Sequence, residues 1–207
     1  LKEIISMHKL FISYHHENDH EYKEDLLILN DDHQIFIDQS VDTGDISDEL
    51  DDVAIREKIR DDYLRDSSVT ILLVGEETKN LKHIYWEVFS SMYDGKVNKK
   101  SGILVINIPG ANAKSYKAAH AGEKERIYPE TKNWTSISDR KSLESRYPNM
   151  PARLIDNMLA DDVKISSTKW EKIENDPDGL AFLIDATFKD RAKCDYDMGR
   201  AMRRANS

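Results

Sequence analysis

The chain has 207 residues, of which 39% are hydrophobic and 33% are charged, and its formal net charge is -9. This length is typical of one domain, or of one domain with a large insertion, and the apolar share is sufficient for a buried core. The acidic charge disfavours nucleic acid and anionic lipid surfaces as partners, because both require a basic face.

The first half of the sequence alternates short apolar runs, typical of buried strands, with stretches in which apolar residues recur at helical spacing. In chain order the pattern predicts a strand at 9–13, a helix at 19–29, a strand at 34–38, a helix at 47–65, a strand at 69–74, a helix at 81–93 and a strand at 102–108. Strands that alternate with helices pair in parallel through crossover connections. We therefore predict an α/β fold, with helices on both faces of a parallel sheet.

The pattern changes between about residues 111 and 150, where polar residues, isolated aromatic residues and prolines predominate. We interpret this stretch as an insertion that holds loops and one or two short helices. A short fifth strand is predicted at 163–167. Asp176 and Pro177 then resemble a helix cap and the proline of a first turn, and they open a closing helix. Because no repeat or linker divides the chain, we expect residues 1–207 to form a single domain.

Cysteine usage and the apolar runs indicate the compartment. Cys194 is the only cysteine, so no internal disulfide can form, which is typical of a reducing compartment. The longest apolar runs, at 69–74 and 103–106, are too short to span a membrane, and residues 1–7 lack the pattern of a signal peptide. We therefore expect a cytoplasmic protein that has no membrane partner.

Candidate site residues follow from the rule that parallel sheets bind ligands outside the carboxyl ends of their strands. The carboxyl ends of the first two predicted strands, at 13–19 and 38–45, are rich in functional side chains: Tyr14, His15, His16, Asn18 and Asp19 at the first, and Asp38, Ser40, Asp42 and Thr43 at the second. Taken singly, each of these residues is more typical of an ordinary turn.

The helix predicted at 81–93 adds two further candidates, Trp86 and Glu87, which lie outside its apolar stripe. A tryptophan in that position needs a pocket, an insertion or a partner to cover it. Spacing alone favours a solvated Glu87. Lys79, Lys82 and His83 precede it, and they are interpreted either as a local positive potential for a phosphate or as ordinary surface residues.

Several enzyme signatures are missing or incomplete. The sequence contains no GxxxxGK[ST], GxGxxG or GxSxG motif, which disfavours P-loop NTPases, ordinary dinucleotide-binding dehydrogenases and the commonest hydrolases. Residues 16–20 (HENDH) match the zinc-protease pattern HExxH, but they fall where a strand gives way to a helix, and no third ligand follows at a suitable spacing. We regard this match as accidental, expect no metal, and keep a metalloprotease as a minor alternative. A phosphoacceptor domain is set aside because Gly75, and no aspartate, follows the third strand, and no clear lysine closes the fifth.

Four segments of the first half resemble the TIR-like domain of Thoeris antiphage proteins: FISYHHEND, IFID, ISDELDDVAIREKIRDDYLRDSSVTILLVGEET and IYWEV. The resemblance covers about residues 9–108, and the segment from residue 163 through the last helix is also similar. It implies a flavodoxin-like fold with a five-stranded parallel sheet, in agreement with the strand pattern.

The resemblance also implies an activity, which is cleavage of the nicotinamide–ribose bond of NAD. Glu87 would be the catalytic residue, and Ser13, Tyr14, His15, Asp38, Asp42 and Trp86 would bind the substrate. NAD would be the substrate, with no further cofactor. The resemblance implies that the product is an ADP-ribose-derived cyclic nucleotide and that this product activates a separate NAD-consuming effector.

The loop at 39–45 corresponds to the BB loop of the family, through which copies of the chain would assemble. Two departures from the family pattern are visible. His83 stands where many TIR enzymes have a tryptophan about one turn before the catalytic glutamate, and the loop lacks the usual proline. The alternative function is a non-catalytic TIR-like module that assembles with protein partners.

Overall fold

The sheet determines the architecture of the part of the chain that is described, which in this computed structural model is residues 7–40, 50–95 and 97–206. Its five strands are all parallel and follow the order β2-β1-β3-β4-β5. This order is flavodoxin-like, so the predicted fold class is confirmed. The strands are β1 His8–Ser13, β2 Phe36–Asp38, β3 Val69–Val74, β4 Gly102–Asn107 and β5 Ser166–Lys169.

Helices connect the strands. Those in the described residues are α1 His20–His33, α2 Asp52–Lys58, α3 Lys82–Met92, α4 Glu123–Ile127, α5 Arg140–Arg146, α6 Ala152–Leu159 and α7 Pro177–Asp190. Helix α2 continues directly into a π-helical segment, Ile59–Leu64, so the helix predicted at 47–65 is observed from Asp52 onward, while residues 47–49 lie outside the described residues. Among the helices described, none combines the length and the apolar character that crossing a bilayer requires.

The sheet is buried on both faces, because successive residues of a strand point to opposite sides. In β3, Val69, Ile71 and Leu73 join a cluster of buried side chains to which α1 and α7 contribute. Leu72 and Val74 join a second cluster, which is shared with α3 and α6. Every residue of β3 and β4 is buried. The continuous apolar runs of these two strands therefore reflect two covered faces.

The segment predicted as an insertion packs against the far edge of the sheet. It contains α4 and α5, as expected, and Lys117 forms an isolated antiparallel bridge with Ser167 of β5. Two boundaries differ from the prediction. Strand β5 begins at Ser166 because Val163 and Ile165, although apolar, pack into the second cluster without pairing with β4. Helix α6, which follows Pro151 directly, was not predicted.

Helix α7 begins with the cap that the sequence predicts. Asp176 Oδ1 accepts a hydrogen bond from the Gly179 N–H at 2.9 Å, and Pro177 stands in the first turn. The guanidinium of Arg126 donates two hydrogen bonds to the same carboxylate, each at 2.8 Å. The hydrogen bonds from Arg126 are the main reason that the pKa of Asp176 lies below its ordinary value of 3.8.

Replacing Asp176 with alanine is expected to lower the free energy of unfolding at neutral pH by about 1 to 2 kcal/mol, mainly through loss of the cap. The half-exposed ion pair adds little, because solvent screens it. Since the folded pKa lies below the unfolded one, this stabilisation is complete above the unfolded value and is lost as the pH falls through the folded value. Urea titrations at neutral and strongly acidic pH measure the difference, which should shrink in acid. An Arg126→Ala control should show the smaller loss, and a difference independent of pH would contradict this account.

Candidate active site at the carboxyl end of the sheet

The candidate site lies where β1 ends, between β2 and β3. Leu10 and Ile12 point toward α1 and α7, whereas Phe11 packs with side chains of α3. Ser13 is two residues beyond Phe11 and therefore shares its side of the sheet. The chain continues from β1 to one edge of the sheet and from β3 to the other. This reversal of strand order is the position at which α/β proteins bind ligands.

Glu87 is buried between α3 and the sheet, with 1% of its surface exposed. The Ser13 hydroxyl donates a hydrogen bond to Glu87 Oε2 at 2.6 Å. One turn further along α3, Ser91 Oγ lies 2.8 Å from Thr70 Oγ1 of β3. The side of α3 that carries Glu87 and Ser91 thus packs on β1 and β3 through polar pairs. The expectation of a solvated Glu87 is wrong, because counting apolar residues assigns polar side chains to solvent even where the sheet supplies them with partners.

His83 lies one turn before Glu87 on α3 and faces the end of β1. Its Nε2 is 3.4 Å from the carbonyl oxygen of Tyr14, so Nε2 carries the proton. Burial lowers the pKa of His83 to about 4, because this effect outweighs the hydrogen bond to Tyr14, which raises the pKa. The imidazole is therefore neutral near pH 7 and supplies no positive potential. Lys79, in turn, donates to the carbonyl oxygen of Pro148 at 2.7 Å.

Tyr14 and His15 begin the connection from β1 to α1. The ring of Tyr14 is buried and stacks on His16, with 4.6 Å between the ring centroids. His15 Nδ1 accepts hydrogen bonds from the backbone N–H groups of Glu17 and Asn18, so its proton is on Nε2. That nitrogen lies 3.5 Å from a carboxylate oxygen of Glu77, which follows β3. The loops after β1 and β3 are thereby joined beside the first turn of α3.

Asp38 ends the edge strand β2, where it is exposed. Its Oδ1 accepts a hydrogen bond from the Ser40 N–H at 2.8 Å. Ser40 Oγ in turn accepts from the Ile12 N–H at 2.9 Å, which ties the chain after β2 to β1. Asp38 thus stabilises a turn next to the strand that carries Ser13. Asp42, with the predicted loop beyond Ser40, lies outside the described residues.

Trp86 is covered by the chain's own last segment, which the sequence pattern did not indicate. Only 3% of its surface is exposed, and its Nε1–H donates to the carbonyl oxygen of Arg203 at 2.7 Å. Met202 packs into the same cluster of side chains as Trp86. Asn206 Oδ1 accepts a hydrogen bond from the Lys82 N–H at the start of α3. In this arrangement the indole face is packed against protein.

Asp19, one of the functional side chains that the sequence places after β1, is buried in the site. Its Oδ2 has no hydrogen-bond partner among the described residues, and burial raises its pKa. The carboxylate lies against Gly75, the residue after β3, where an added Cβ would come within 2.5 Å of Asp19 Oδ1. A glycine after β3 is therefore required for Asp19 to occupy this position.

Two other readings of the sequence find no support in the geometry. Helix α1 begins at His20, so His16 and His20 do not occupy successive turns of one helix, as a zinc-protease motif requires. In the described ranges, no three His, Cys, Asp or Glu side chains are grouped so that they could hold a metal ion. Strand β5 does end at Lys169, which the sequence pattern did not place there. A phosphoacceptor site nevertheless lacks its aspartate, because Gly75 follows β3.

Comparison with known protein families identifies the domain that carries this site. Residues 11–113 match the family described as Thoeris protein ThsB, TIR-like domain. The matched segment includes Ser13, Glu87, the end of β1 and the whole of β2, β3 and β4. Comparison with curated proteins finds no match. The family points to a role in antiphage defence. Through residues 11–113, the chain belongs to the family of Thoeris TIR-like domains.

Proposed function

We propose that this chain cleaves the nicotinamide–ribose bond of NAD in the cytoplasm and forms an ADP-ribose-derived, cyclic nucleotide that signals in antiphage defence. The observation that carries this proposal is the buried Glu87 carboxylate, held by Ser13 at the carboxyl end of β1 in a Thoeris TIR-like domain. NAD is the substrate and not a resident cofactor. The product acts on a separate effector that consumes NAD, and copies of the chain assemble through the loop at 39–45.

The reaction requires a negative group near the ribose, and a buried carboxylate provides one. When the glycosidic bond breaks, positive charge develops on the ribose, and a negative group close by stabilises the transition state. That stabilisation is stronger where water is excluded, as it is around Glu87. The pyridinium nitrogen takes the bonding electrons, so nicotinamide leaves as a neutral molecule and needs no acid. Attack by water on the ribose yields ADP-ribose, whereas attack by a group of the same nucleotide yields a cyclic product.

Ser13 is a positioning residue in this mechanism. Its hydrogen bond of 2.6 Å to Oε2 restricts the rotamer of Glu87 and so fixes the orientation of the carboxylate that would act on the ribose. Because Glu87 is almost fully buried, the groups that cover it must move before a ribose can reach the carboxylate. Binding of NAD is therefore coupled to an opening of the site.

Incubating the purified protein with NAD tests the proposal directly. Mass spectrometry follows the release of nicotinamide and the mass of the nucleotide that remains. A product with the mass of ADP-ribose identifies a hydrolase, and a product lighter by one water identifies a cyclase. A series of protein concentrations reports whether assembly is required. If no nicotinamide is released at any concentration, the enzymatic proposal fails and the non-catalytic assembly module takes its place.

A Ser13→Ala variant is expected to lower kcat for nicotinamide release by about 10- to 100-fold, which corresponds to the loss of a hydrogen bond to a charged group. KM should change much less, because Ser13 acts through Glu87. Steady-state kinetics separate the two parameters, and thermal denaturation checks that the variant is folded. A Ser13→Thr variant, which keeps the hydroxyl, should retain more of the activity. An unchanged kcat in Ser13→Ala would contradict the positioning role.

A further inference from the structure

A cavity lies beside β5, at the far edge of the sheet from β2. Its volume is about 420 Å³, within the range of small-molecule binding sites. One wall comes from the insertion after β4 and the other from the residues that lead into β5. None of the candidate site residues that the structure describes lines it. The side chains that matter for its chemistry are Lys117, Lys124, Trp134, Tyr147 and Lys164.

The charge of the cavity is opposite to that of the chain. Among the described residues, three lysines and one acidic side chain, Asp161, line it, while the whole chain carries a net charge of -9. Burial and the nearby Lys164 both lower the pKa of Lys117. The nearby carboxylate of Glu123 opposes part of this effect on the pKa of Lys117. Its Oε2 accepts hydrogen bonds from two backbone N–H groups and from Ser166, and its buried Oε1 has no hydrogen-bond partner among the described residues. Like charges held together in a partly desolvated position are relieved by a bound anion.

Lys117 is held in position and keeps donors for a ligand. Its backbone pairs with Ser167 in both directions, at 2.9 Å each. Its Nζ donates to the carbonyl oxygen of Ile165 at 3.2 Å. In the part of the chain that the structure describes, this is the one hydrogen bond of the ammonium group, which has three N–H donors. Two donors therefore remain for an anion in the cavity.

Trp134 adds a rigid aromatic surface. Its Nε1–H donates to the carbonyl oxygen of Thr131 at 3.2 Å, and Tyr128 packs against it edge-on, with 5.4 Å between the ring centroids. Lys124 Nζ lies 4.9 Å from the centre of one of its rings. A planar ring stacked on Trp134 would therefore hold an attached anionic group close to a lysine.

We propose that this cavity binds a nucleoside monophosphate or a ligand of that class, with its base against Trp134 and its phosphate among Lys117, Lys124 and Lys164. Both features are needed to assign the class. A phosphate alone would not stack on the aromatic wall, and a neutral base alone would not form ion pairs with the three lysines. Because the cavity shares no lining residue with the candidate active site, this ligand is separate from the NAD that the proposed reaction consumes.

Isothermal titration calorimetry with AMP, ribose 5-phosphate and adenosine tests the proposal without depending on NAD cleavage. AMP is expected to bind at least about tenfold more tightly than either fragment, and more weakly at high salt. Failure of AMP to bind at millimolar concentration overturns the proposal. Equal binding of AMP and ribose 5-phosphate overturns the role given to Trp134.

Variants then locate the binding event. Lys117→Met, Lys124→Ala and Trp134→Leu should each weaken AMP binding by about tenfold, which is the effect of one charge-assisted hydrogen bond or one stacking contact. Lys124 is exposed, so its replacement leaves the fold intact even if the variants at the partly buried Lys117 and Trp134 are destabilised. Lys189→Met, on the exposed side of α7, is the matched control and should bind AMP as the parent does. AMP binding that is unchanged in all three cavity variants overturns the proposal, because the ligand is then bound elsewhere.

Discussion

A Glu87→Gln variant is expected to lower kcat for nicotinamide release by at least about 100-fold, the effect of removing one group that stabilises transition-state charge. Glutamine keeps the shape of the side chain and can still accept the hydrogen bond from Ser13, so the packing between α3 and β1 should be preserved. Only the negative charge is lost. Because that charge acts on the oxocarbenium character of the ribose, the loss should fall on kcat and much less on KM.

Steady-state kinetics with NAD measure the effect, and three observations make it decisive. Thermal denaturation should show that Glu87→Gln is folded. Glu24→Gln, on the exposed side of α1, is the matched control and should retain parental kinetics. Equal activity of Glu87→Gln and parent would exclude Glu87 as the catalytic residue. That result would leave NAD cleavage itself standing, whereas inactivity of the parent would argue against the proposed function.

A Gly102→Ala variant is expected to lower the free energy of unfolding by about 3 kcal/mol, at the upper end of the range for overpacked cores. A Cβ at this position would lie 2.6 Å from Cγ2 and 2.6 Å from the carbonyl oxygen of Thr187 in α7. The carbonyl belongs to the helix backbone and cannot rotate away. Either β4 or α7 must therefore shift, and β4 is paired on both sides, with β3 and β5.

Urea titration of the single and double variants separates the two contacts. Thr187→Ser removes Cγ2 but keeps the hydroxyl that lies 3.2 Å from His120 Nε2. It should therefore restore part of the stability lost in Gly102→Ala, while the carbonyl contact keeps the rescue incomplete. A Gly102→Ala protein as stable as the parent would show that α7 moves away from β4 more easily than the packing indicates.

The family resemblance identified Glu87 as a functional residue, which the spacing of apolar residues along α3 did not. Counting apolar residues along α3 leaves Glu87 in solvent, whereas the resemblance makes it the catalytic candidate. The structure buries it and pairs it with Ser13, a residue 74 positions earlier in the chain. No periodic pattern within α3 indicates that partner, because the partner lies on β1.

The sequence by itself determined the order of the strands and most of the helices, although helix α6 was not predicted. Strands β3 and β4 could be predicted because a strand covered on both faces is apolar at nearly every position. The cap of α7 could be predicted because Asp176 and Pro177 act within one turn of the helix. These are local effects, which depend on neighbours a few residues apart. The start of β5 was less predictable, since apolar Val163 and Ile165 are buried without pairing with β4.

Only the tertiary structure decided which distant residues meet. The covering of Trp86 by Arg203 joins residues 117 positions apart, and the cavity beside β5 depends on how the insertion folds back onto the sheet edge. The pairing of Ser13 with Glu87 likewise requires β1 and α3 to lie side by side, which the strand order produces. Such contacts depend on packing among elements that are remote in the chain. Hydrophobic periodicity specifies which face of an element is buried, but not which other element buries it.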